Sequence, residues 1–379
     1  MSPVYYHLDR FPPATLDWER LIPLIGPANA GLARYDGSLS AIPNANVLLS
    51  PLTTQEAVLS SKIEGTVVTM GEVLEIEAGA DLPKLTQSKR DDAVEVLNYR
   101  SALRACTAAL QERTITQHMI RGAHEMLMQG VRGSDKSPGR YRDQQNWVGS
   151  PGCTIEQANF VPVGPELVQS SMDAWETYLN RTDVPDVLIQ LAILHVEFEA
   201  IHPFEDGNGR LGRMLVPLYL YQRGLLKSPD FYVSGYLEAN RDQYLERLRE
   251  VSRADDWTGW CIFFLEGVRQ QAAENESKAR RILELYESVK NRVIELTRSQ
   301  HAIRVVDFMF QNPIFSGPDF LNQPGIPRPS AGRLLPILRE NGIIQTIIES
   351  RGRRPGVFAY RDLINIAEGR LSSSRMNSQ

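Results

Sequence analysis

Apolar residues recur at helical spacing through most of the chain, and this periodicity predicts a mainly α fold. Between the helical stretches lie short segments rich in polar residues, glycine and proline. The helices predicted in this way cover residues 53–64, 90–112, 116–129, 165–180, 185–200, 208–223, 238–252 and 256–295. The first ~50 residues, which contain FPPATL, IGPANAG and AIPNANVLLSP, are instead expected to be irregular with short helical pieces.

Two segments depart from the helical pattern. The segment NWVGSPGCTIEQANFVPV, residues 146–163, has turn residues in its middle and β-favouring residues at its ends, which predicts a hairpin. Residues 299–366 combine two short helices, a third helix and two β-rich strands around a basic turn, as in a winged helix-turn-helix domain. The expected divisions are an N-terminal region (1–89), a helical core (90–275), a linker helix (276–298), the winged-helix domain (299–366) and a disordered tail (367–379).

Bulk composition narrows the class of protein. At 379 residues the chain is too long for one ordinary hydrophobic core, so two or three domains are expected. Its 41 Lys and Arg against 46 Asp and Glu argue against wholesale nucleic-acid binding but allow a local basic patch. Three cysteines without CxxC spacing favour a reduced, cytoplasmic setting. We expect no signal peptide, because the N-terminus lacks a basic n-region and an apolar h-region. We expect no membrane span, because no uninterrupted apolar run approaches the required ~18 residues.

The most unusual stretch is HPFEDGNGRLGR, residues 202–213, which follows the apolar segment VLIQLAILHVEFEAI. Its glycines predict a helix start, where unpaired backbone N–H groups and the helix dipole favour an anion. Arg210 and Arg213 lie in the first turn, where cations oppose the dipole, and a bound polyphosphate would resolve that conflict. Asp206 is suited to carrying Mg²⁺ to the phosphates, and His202 is suited to general-base catalysis.

The same residues have simpler explanations when they are taken singly. A DGNG sequence alone usually marks a turn, and a single histidine after an apolar helix is usually structural. A metalloprotease site is disfavoured because HVEFEAIH, with His195 and His202, lacks HExxH spacing, and HEMLM at His124 ends in methionine. The chain has no GxxxxGK[ST] sequence, so a P-loop is disfavoured too. The twelve residues together are far more specific than any one of them.

In this combination HPFEDGNGRLGR resembles the signature of the Fic family, HPFx[DE]GN[GK]R followed by a second arginine. PGRYRDQQNWVG upstream resembles the segment that leads into the flap of Fic proteins, and the resemblance covers roughly residues 90–270. It implies a Fic-type helical bundle with a small β-hairpin flap at residues 146–163. It also implies transfer of AMP from ATP to a hydroxyl side chain of a target protein, with Mg²⁺ as cofactor.

The resemblance assigns a role to nearly every residue of the motif. His202 would accept the proton of the attacking Ser, Thr or Tyr hydroxyl. Asp206 would hold Mg²⁺ against the α- and β-phosphates, Phe204 would anchor the loop in the core, and Glu205 would have no chemical role. The predicted phosphate site consists of a nest of backbone N–H groups at Gly207, Asn208 and Gly209, with Asn208 also gripping the α-phosphate, Arg210 on the β-phosphate side and Arg213 on the γ-phosphate.

The remaining substrate contacts are predicted on two other segments. For adenine and ribose, SGYLEANRDQYLERL offers Tyr236, Asn240 and Tyr244, although tyrosines at helical spacing often belong to a core. The flap would align a target segment by adding it as an edge strand, and the alternative is a structural hairpin that caps the bundle. Cys153 lies near the flap tip without any sign of being a nucleophile.

A second motif is TTQEAVLSSKIEG, which begins at Thr53. Thr53 with Glu56 predicts a capping box at the start of a helix, and Gly65 is a candidate left-handed C-cap. Ser60 and Glu64 share a face at i, i+4, and Glu64 lies at the negative end of the helix dipole. Glu64 is therefore expected either to meet a cation elsewhere in the fold or to be solvated.

SSKIEG resembles the inhibitory-helix motif [ST]xxxE[GN] of Fic proteins that carry this helix N-terminal to the core. The resemblance implies that Glu64 pairs with Arg213 and keeps the γ-phosphate out of its productive position, while Ser60 helps to seat the helix. The inhibitory residues implied are Ser60, Glu64 and Gly65. The ATP-binding residues implied are Glu64, His202, Gly207, Asn208, Gly209, Arg210, Arg213, Tyr236, Asn240 and Tyr244.

Arginines in the C-terminal segment suggest a function of another class. Three lie on or near the predicted recognition helix, and three more form a predicted basic wing: Arg328, Arg333 and Arg339, then Arg351, Arg353 and Arg354. This distribution suits DNA. Winged helices also bind proteins, however, and Arg-rich turns are often merely solvated.

These patterns predict an autoinhibited Fic-type protein adenylyltransferase that modifies a target protein or itself and forms a homodimer. One alternative is another reaction on the same scaffold, namely transfer of phosphocholine or UMP, or de-AMPylation. The alternative from a different class is a nucleotide-sensing, DNA-binding regulator.

Overall fold

The computed structural model describes residues 2–40, 42, 44–80, 86–131, 135–352 and 354–370. The chain forms two compact units, each assembled from separate stretches of sequence. The first unit comprises Met1–Asp36, Leu59–Gly65 and Leu97–Ala273, and the second comprises Gly37–Val58, Thr66–Val96 and Glu274–Gln379. Among the described residues, no helix combines the length and the apolar character needed to cross a membrane.

Helices make up most of both units, as the apolar periodicity predicts. In chain order they are α1 (Trp18–Ser40), α2 (Ala45–Leu48), α3 (Ser50–Ile63), α4 (Met70–Glu77), α5 (Gln87–Ala109), α6 (Gln117–Leu127), α7 (Val168–Leu179), α8 (Val187–Ile201), α9 (Asn208–Gln222), α10 (Ser234–Ala239), α11 (Arg241–Ala254), α12 (Trp257–Thr297), α13 (Ala302–Gln311), α14 (Gly317–Leu321), α15 (Arg328–Glu340) and α16 (Arg361–Ala367). The strands are β1 (Val4–Tyr5), β2 (Phe160–Val161), β3 (Ile314–Ser316), β4 (Gln345–Ile348) and β5 (Val357–Ala359).

The central helix of the first unit is α8, and its sequence explains its position. VLIQLAILHVEFEAI is apolar nearly all round, so it is stable only where other elements surround it. The carboxylate of Asp186 accepts hydrogen bonds from the backbone N–H groups of Leu188 and Ile189 and caps the first turn. Helices α7, α9 and α11 pack against α8, which gives the α8–α9 junction a rigid support.

The flap, residues 146–163, forms with less strand than the sequence predicts. Val148 and Phe160 make a single antiparallel bridge, and one turn of 3₁₀ helix, Ile155–Gln157, lies between them. The second arm, β2, also pairs in parallel with β1, where Val4 faces Phe160. The central position in this small sheet therefore belongs to β2, and the arm that contains Val148 is on its outer side.

The C-terminal part of the second unit contains every element predicted for residues 299–366. Helices α13, α14 and α15 accompany a three-stranded antiparallel sheet in the order β3-β5-β4, of which β3 is an additional strand. The exposed surface of α15 includes Arg328, Arg333 and Arg339. Arg353 of the predicted wing and residues 371–379 of the predicted tail lie outside the described residues. The assignment as a winged helix stays a prediction.

The N-terminal region is more regular than its proline content suggests. The prediction of irregular backbone over the first ~50 residues is wrong, because α1 runs for 23 residues through Pro23 and Pro27. Each proline removes one helical hydrogen bond. Burial of Leu21, Leu32 and Tyr35 on this helix outweighs that cost, as tertiary packing often does.

Helix α3, which carries the second motif, begins earlier than predicted. It starts at Ser50, so Thr53 lies inside the helix and the predicted Thr53–Glu56 capping box is wrong. Glu56 is buried rather than exposed in a first turn. Gly65 follows the helix end with a φ of 101°, a backbone conformation that glycine adopts at little cost.

Candidate functional site

Two residues with positive φ shape the α8–α9 junction. His202, with a φ of 50°, ends α8 in the left-handed region, and Gly207, with a φ of 77°, immediately precedes α9. The side chain of Asn208 spans the loop between them, because its Oδ1 accepts from Phe204 N at 2.9 Å and its Nδ2 donates to Phe204 O at 2.8 Å. Both ends of the amide therefore hold the loop. The predicted grip of this side chain on the α-phosphate stays a prediction.

The hydrogen bonding of His202 determines which ring nitrogen can accept a proton. Its Nδ1 lies 3.3 Å from the carbonyl oxygen of Glu199. Because a carbonyl can only accept, Nδ1 carries the hydrogen and Nε2 keeps its lone pair. Burial lowers the pKa of His202 to about 4, against the opposing influence of the Glu199 hydrogen bond. The imidazole is therefore neutral near pH 7.

Arg213 is a buried cation with partners on the end of α3. Its Nε donates to Ser60 Oγ at 3.0 Å, and its Nη2 donates to Ser60 O at 2.9 Å and to Glu64 Oε1 at 2.6 Å. Only 1% of Arg213 is exposed. The structure thus brings Ser60 and Glu64 of one motif into contact with Arg213 of the other, about 150 positions away in the sequence.

The carboxylate of Glu64 lies where the phosphate nest was predicted. Partial burial works to raise the pKa of Glu64, but the charge of Arg213 and its hydrogen bond hold that pKa below its usual range. A Cβ on Gly209 would overlap Glu64 Oε1, so the carboxylate lies directly against the first turn of α9. Backbone N–H groups at a helix start are suited to an anion at this position.

Asp206 lies between two cations at the edge of the loop. Its Oδ1 accepts from Gly207 N at 2.6 Å and lies 3.6 Å from Arg210 Nη2. Its Oδ2 lies 3.8 Å from Lys136 Nζ. Arg210 is buried and its Nη2 also approaches Met128 Sδ at 3.7 Å. The carboxylate itself is partly open to solvent, with 29% of the side chain exposed.

His124 supports the loop, a role that the sequence does not reveal. Its ring stacks on Phe204, with centroids 3.8 Å apart and planes 7° from parallel. Its Nε2 donates to Asp206 O at 2.9 Å, and its Nδ1 accepts from Gly139 N at 2.9 Å. Burial lowers the pKa of His124 to about 4, so the ring is neutral and both bonds are maintained. The buried Phe204 is thereby anchored as predicted.

A cavity of about 550 Å³ opens beside the junction. Its walls include residues of the α8–α9 junction, the end of α3, the flap and one face of α11: Ile63, Glu64, Val148, Gly149, Ser150, Pro151, Asn159, Phe160, Val196, Glu199, Ala200, His202, Gly209, Arg213, Arg241, Tyr244, Leu245, Leu248 and Arg249. The side chain of His202, a helix start and a strand-like flap therefore face one space.

Of the three residues predicted for adenine, only Tyr244 lines this cavity. It is buried, and its hydroxyl donates to His195 Nε2 at 2.9 Å, because the other ring nitrogen of that histidine faces a carbonyl. The side chain of Asn240 donates to Tyr236 O at 2.9 Å and holds the turn between α10 and α11. The structure does not bring Tyr236 and Asn240 to the cavity.

Helix α11 contributes residues that sequence reasoning missed. Leu245 and Leu248 give the cavity an apolar wall, which the helical periodicity of this segment could have indicated. Arg241 also lines the cavity, and its Nε donates to Ile63 O at 3.0 Å at the end of α3. Its partner is a backbone carbonyl distant in sequence, so no local pattern indicates the contact.

Glu199, one turn before His202, is another residue that sequence reasoning missed. Burial raises its pKa to about 7, although the positive charge of Arg213 opposes the shift. Within the described part of the chain its buried Oε1 has no hydrogen-bond partner. The cavity therefore holds two carboxyl groups near Arg213, of which Glu64 is ionised and Glu199 titrates near neutrality.

Comparison with known proteins places this site in a family. The Fic/DOC family N-terminal model matches residues 22–108, and the Fic/DOC family model matches residues 114–220. A Fido domain-containing protein of Dictyostelium discoideum is 32% identical over 127 residues, which cover 32% of this chain and 78% of that protein. A crystal structure of a Fic family protein from Desulfovibrio desulfuricans has the same fold, with a TM-score of 0.60 at 21% identity over 92% of this chain and 98% of that one.

Two further relatives carry the name of an activity. A probable protein adenylyltransferase of Aquifex aeolicus is 29% identical over 203 residues, covering 54% of this chain and 56% of that protein. Protein adenylyltransferase fic-1 of Caenorhabditis elegans is 30% identical over 166 residues, covering 43% of this chain and 30% of that protein. The matched regions thus span about half and about a third of these two relatives. The motif, the fold and the matches together show that the chain belongs to the Fic/DOC family.

Proposed function

We propose that this chain is a protein adenylyltransferase that moves AMP from ATP to a Ser, Thr or Tyr hydroxyl of a protein, and that Glu64 holds the resting form inactive. The observation that supports this most directly is the shared cavity. His202, Gly209, Arg213, Glu64 and the flap all line it. The names of the Aquifex and Caenorhabditis relatives support the same activity.

His202 is suited to the proton transfer that this reaction requires. The attacking hydroxyl oxygen forms a bond to the α-phosphorus of ATP, and the bond from that phosphorus to the bridging oxygen of the β-phosphate breaks, releasing diphosphate. The hydroxyl proton passes to His202 Nε2, the nitrogen that keeps its lone pair. Since the pKa of His202 is about 4, the base is unprotonated at any pH above that value.

The first turn of α9 is suited to the phosphates. Its backbone N–H groups and its dipole favour negative charge, and the buried side chains of Arg210 and Arg213 add two cations within the first two turns of α9. Asp206 fits the predicted Mg²⁺, because Mg²⁺ at nucleotide sites usually takes one or two carboxylates together with phosphate oxygens. Within the described residues no group of three or more His, Cys, Asp and Glu could hold a metal. When bound, the ion would neutralise part of the phosphate charge.

The contacts of Glu64 support the proposed autoinhibition. Its carboxylate lies 2.6 Å from Arg213 Nη2 and against Gly209, so it competes with a phosphate for the same donors. Ser60 also accepts hydrogen bonds from this guanidinium, through its hydroxyl and its carbonyl oxygen. A triphosphate can reach Arg213 in full only after this carboxylate has moved away.

The flap offers one edge to a target segment. Val148 directs both its backbone N–H and its C=O at Phe160, so the backbone groups of Trp147 and Gly149 face outward. The opposite side of β2 is taken by β1. We propose that a target segment adds along Trp147–Gly149, where the exposed indole of Trp147 offers an apolar contact next to the cavity.

A transfer assay with ATP labelled at the α-phosphate and cell lysate as acceptor tests this function. We expect low incorporation by the wild type, high incorporation by Glu64→Gly and none by His202→Ala. Glu112→Gly is a matched control, because it removes an exposed carboxylate from a turn of the same unit. Equal incorporation by wild type and Glu64→Gly would contradict the autoinhibition, and incorporation by His202→Ala as high as that of the wild type would contradict the assignment of the base.

Mass spectrometry of the modified protein separates AMP transfer from the related reactions. A gain in mass that corresponds to phosphocholine or UMP would show that this group is transferred and AMP is not. Loss of AMP from a previously modified protein would instead show de-AMPylation. Modification of the enzyme itself would appear in the same spectra. The homodimer and the cytoplasmic location stay predictions.

A nucleotide-sensing DNA-binding regulator is the second candidate, and the charge of the C-terminal segment favours it. Residues 299–366 contain eight arginines and no lysine against five Asp and Glu, whereas the whole chain has a formal charge of −5. Three of these arginines lie on the exposed surface of α15. A salt-dependent gel shift on duplex DNA that is unaffected by His202→Ala would support this candidate. No shift at low salt would exclude it.

A further inference from the structure

Arg142 lies in PGRYRDQQNWVG, upstream of the flap, and its buried guanidinium donates only to backbone carbonyls in its described contacts. Nε donates to His202 O at 2.8 Å, and Nη1 donates to Gln144 O at 3.1 Å. Nη2 donates to Ile201 O at 3.2 Å and also to Val163 O. One side chain thus satisfies four carbonyl oxygens.

These carbonyls belong to two functional segments. Ile201 is the last residue of α8, and His202 begins the loop between α8 and α9. The backbone N–H of Arg142 also donates to Pro203 O in this loop at 2.9 Å. Val163 is the last residue of the flap, and Gln144 lies two residues before its first. A single guanidinium therefore connects the base to both arms of the segment proposed to align the target.

The geometry explains why an arginine is needed here. The last carbonyls of a helix have no partners within the helix and form its negative end, so a cation stabilises them. His202 also adopts a left-handed conformation, which is strained for a non-glycine residue and must be held by its surroundings. Burial lowers the pKa of Arg142 to about 10, which leaves it charged at neutral pH. Lysine has a point charge and cannot reproduce the planar fork.

We infer that Arg142 is a positioning residue that holds His202 and the flap in one rigid frame, so that the base and the target hydroxyl meet in the correct geometry. This inference rests on the proposed transfer reaction. The bonds of Arg142 lie outside the first turn of α9, where the phosphates are proposed to bind. Loss of the frame should therefore reduce the rate of transfer and leave the KM for ATP unchanged.

The test compares Arg142 with another buried side chain that holds carbonyls in the same unit. Gln190 is fully buried, and its Nε2 donates to Tyr178 O at 2.7 Å and to Arg181 O at 3.1 Å, away from the flap. Arg142→Met, Arg142→Lys and Gln190→Met would each be made in the Glu64→Gly background. Incorporation of labelled AMP into lysate protein at a fixed concentration gives the apparent kcat and the KM for ATP.

Hydrogen exchange supplies a second readout that does not depend on activity. The N–H of Val148 donates to Phe160 O across the flap, and mass spectrometry of peptides from residues 146–163 reports its protection. We expect Arg142→Met to lower the apparent kcat roughly 100-fold, as misplacement by about 1 Å can do, with an unchanged KM for ATP and faster exchange in the flap. Arg142→Lys should recover part of the rate. Gln190→Met should lower the Tm without either change.

Two outcomes separate this inference from the function on which it rests. If Glu64→Gly transfers AMP, and Arg142→Met changes the rate and the flap exchange no more than Gln190→Met does, Arg142 is only structural and the inference is overturned. It is overturned as well if Arg142→Lys equals the parent in both readouts. If Glu64→Gly transfers no AMP, the proposed function fails, while the exchange comparison still decides whether Arg142 holds the flap.

Discussion

Helices α9 and α15 both carry arginines in their first two turns, and the fold treats them in opposite ways. On α9, Arg210 and Arg213 are 2% and 1% exposed and face the carboxylates of Asp206 and Glu64. On α15, Arg328 and Arg333 are exposed to solvent. Cations near a helix start oppose the dipole in both cases. Arginines near a helix start therefore indicate an anion site only if they are buried and paired with carboxylates of the protein itself.

The largest effect of breaking the α9 site should come from His202, its proposed base. In the Glu64→Gly background, His202→Ala should reduce AMP incorporation by about 10² to 10⁴-fold, which is the usual contribution of a general base. His118→Ala is a matched control, since this histidine is exposed on α6. The measurement is the initial rate at saturating ATP. A reduction below tenfold would mean that another group accepts the proton.

Stability should distinguish the buried from the exposed arginine directly. Arg213→Ala removes hydrogen bonds to Ser60 and Glu64, so we expect the free energy of unfolding to fall by about 3 kcal/mol. Arg333→Ala should change it by less than about 0.5 kcal/mol. All five tryptophans lie in the first unit, so their fluorescence in urea measures the unfolding of Arg213→Ala. Circular dichroism in urea measures the unfolding of Arg333→Ala. Equal losses would mean that burial does not separate the two helices.

Glu199 should give the first unit a pH-dependent stability. The pKa of Glu199 is about 7 in the folded state and ~4.3 in the unfolded state. At pH values between the two, the folded state keeps a proton on Glu199 that the unfolded state has lost. The stabilisation is complete below the unfolded pKa and is lost as the pH rises through about 7. Glu199→Gln should not show this loss. Between pH 5 and pH 8 its free energy of unfolding should therefore fall by roughly 1 to 3 kcal/mol less than that of the wild type. Parallel urea titrations at both pH values measure it, and an unchanged difference between the proteins would refute the shift.

The smallest expected effect concerns α15. If its arginines bind DNA phosphates, replacing Arg328 or Arg333 by alanine should reduce the slope of log affinity against log salt by about one for each phosphate that is no longer neutralised. Fluorescence anisotropy with a labelled duplex at several salt concentrations measures the slope. Arg20→Ala, on α1 of the other unit, is a control. An unchanged slope in both variants would mean that neither arginine contacts a DNA phosphate and that both are solvated.

How far the sequence predicts this molecule depends on the range of the interactions. The motif from His202 to Arg213 is local, so its spacing alone indicates a helix end, a glycine turn and a helix start, all of which the structure contains. The Glu64–Arg213 contact is not local, and it was inferred only from the resemblance of two separate motifs. The capping box at Thr53 was wrong because favourable residue types also occur inside helices.

The missed residues have partners that a sequence pattern does not display. Arg142 and His124 donate mainly to backbone carbonyls, which every residue has, so nothing in the partner sequence marks the contact. Glu199 becomes unusual only through burial. Helix α1 tolerates Pro23 because its buried face packs against the rest of the unit, and that packing is invisible to local propensity.

The pairing of β1 with β2 has a practical consequence for anyone who handles this protein. The flap gains its inner neighbour from residues 4 and 5, and His7 fixes that segment through a 2.7 Å contact with Glu197 on α8. A purification tag fused ahead of Val4 would begin next to the strand that supports the inner side of the flap. Tagged and untagged preparations should therefore be compared before rates are assigned to this protein.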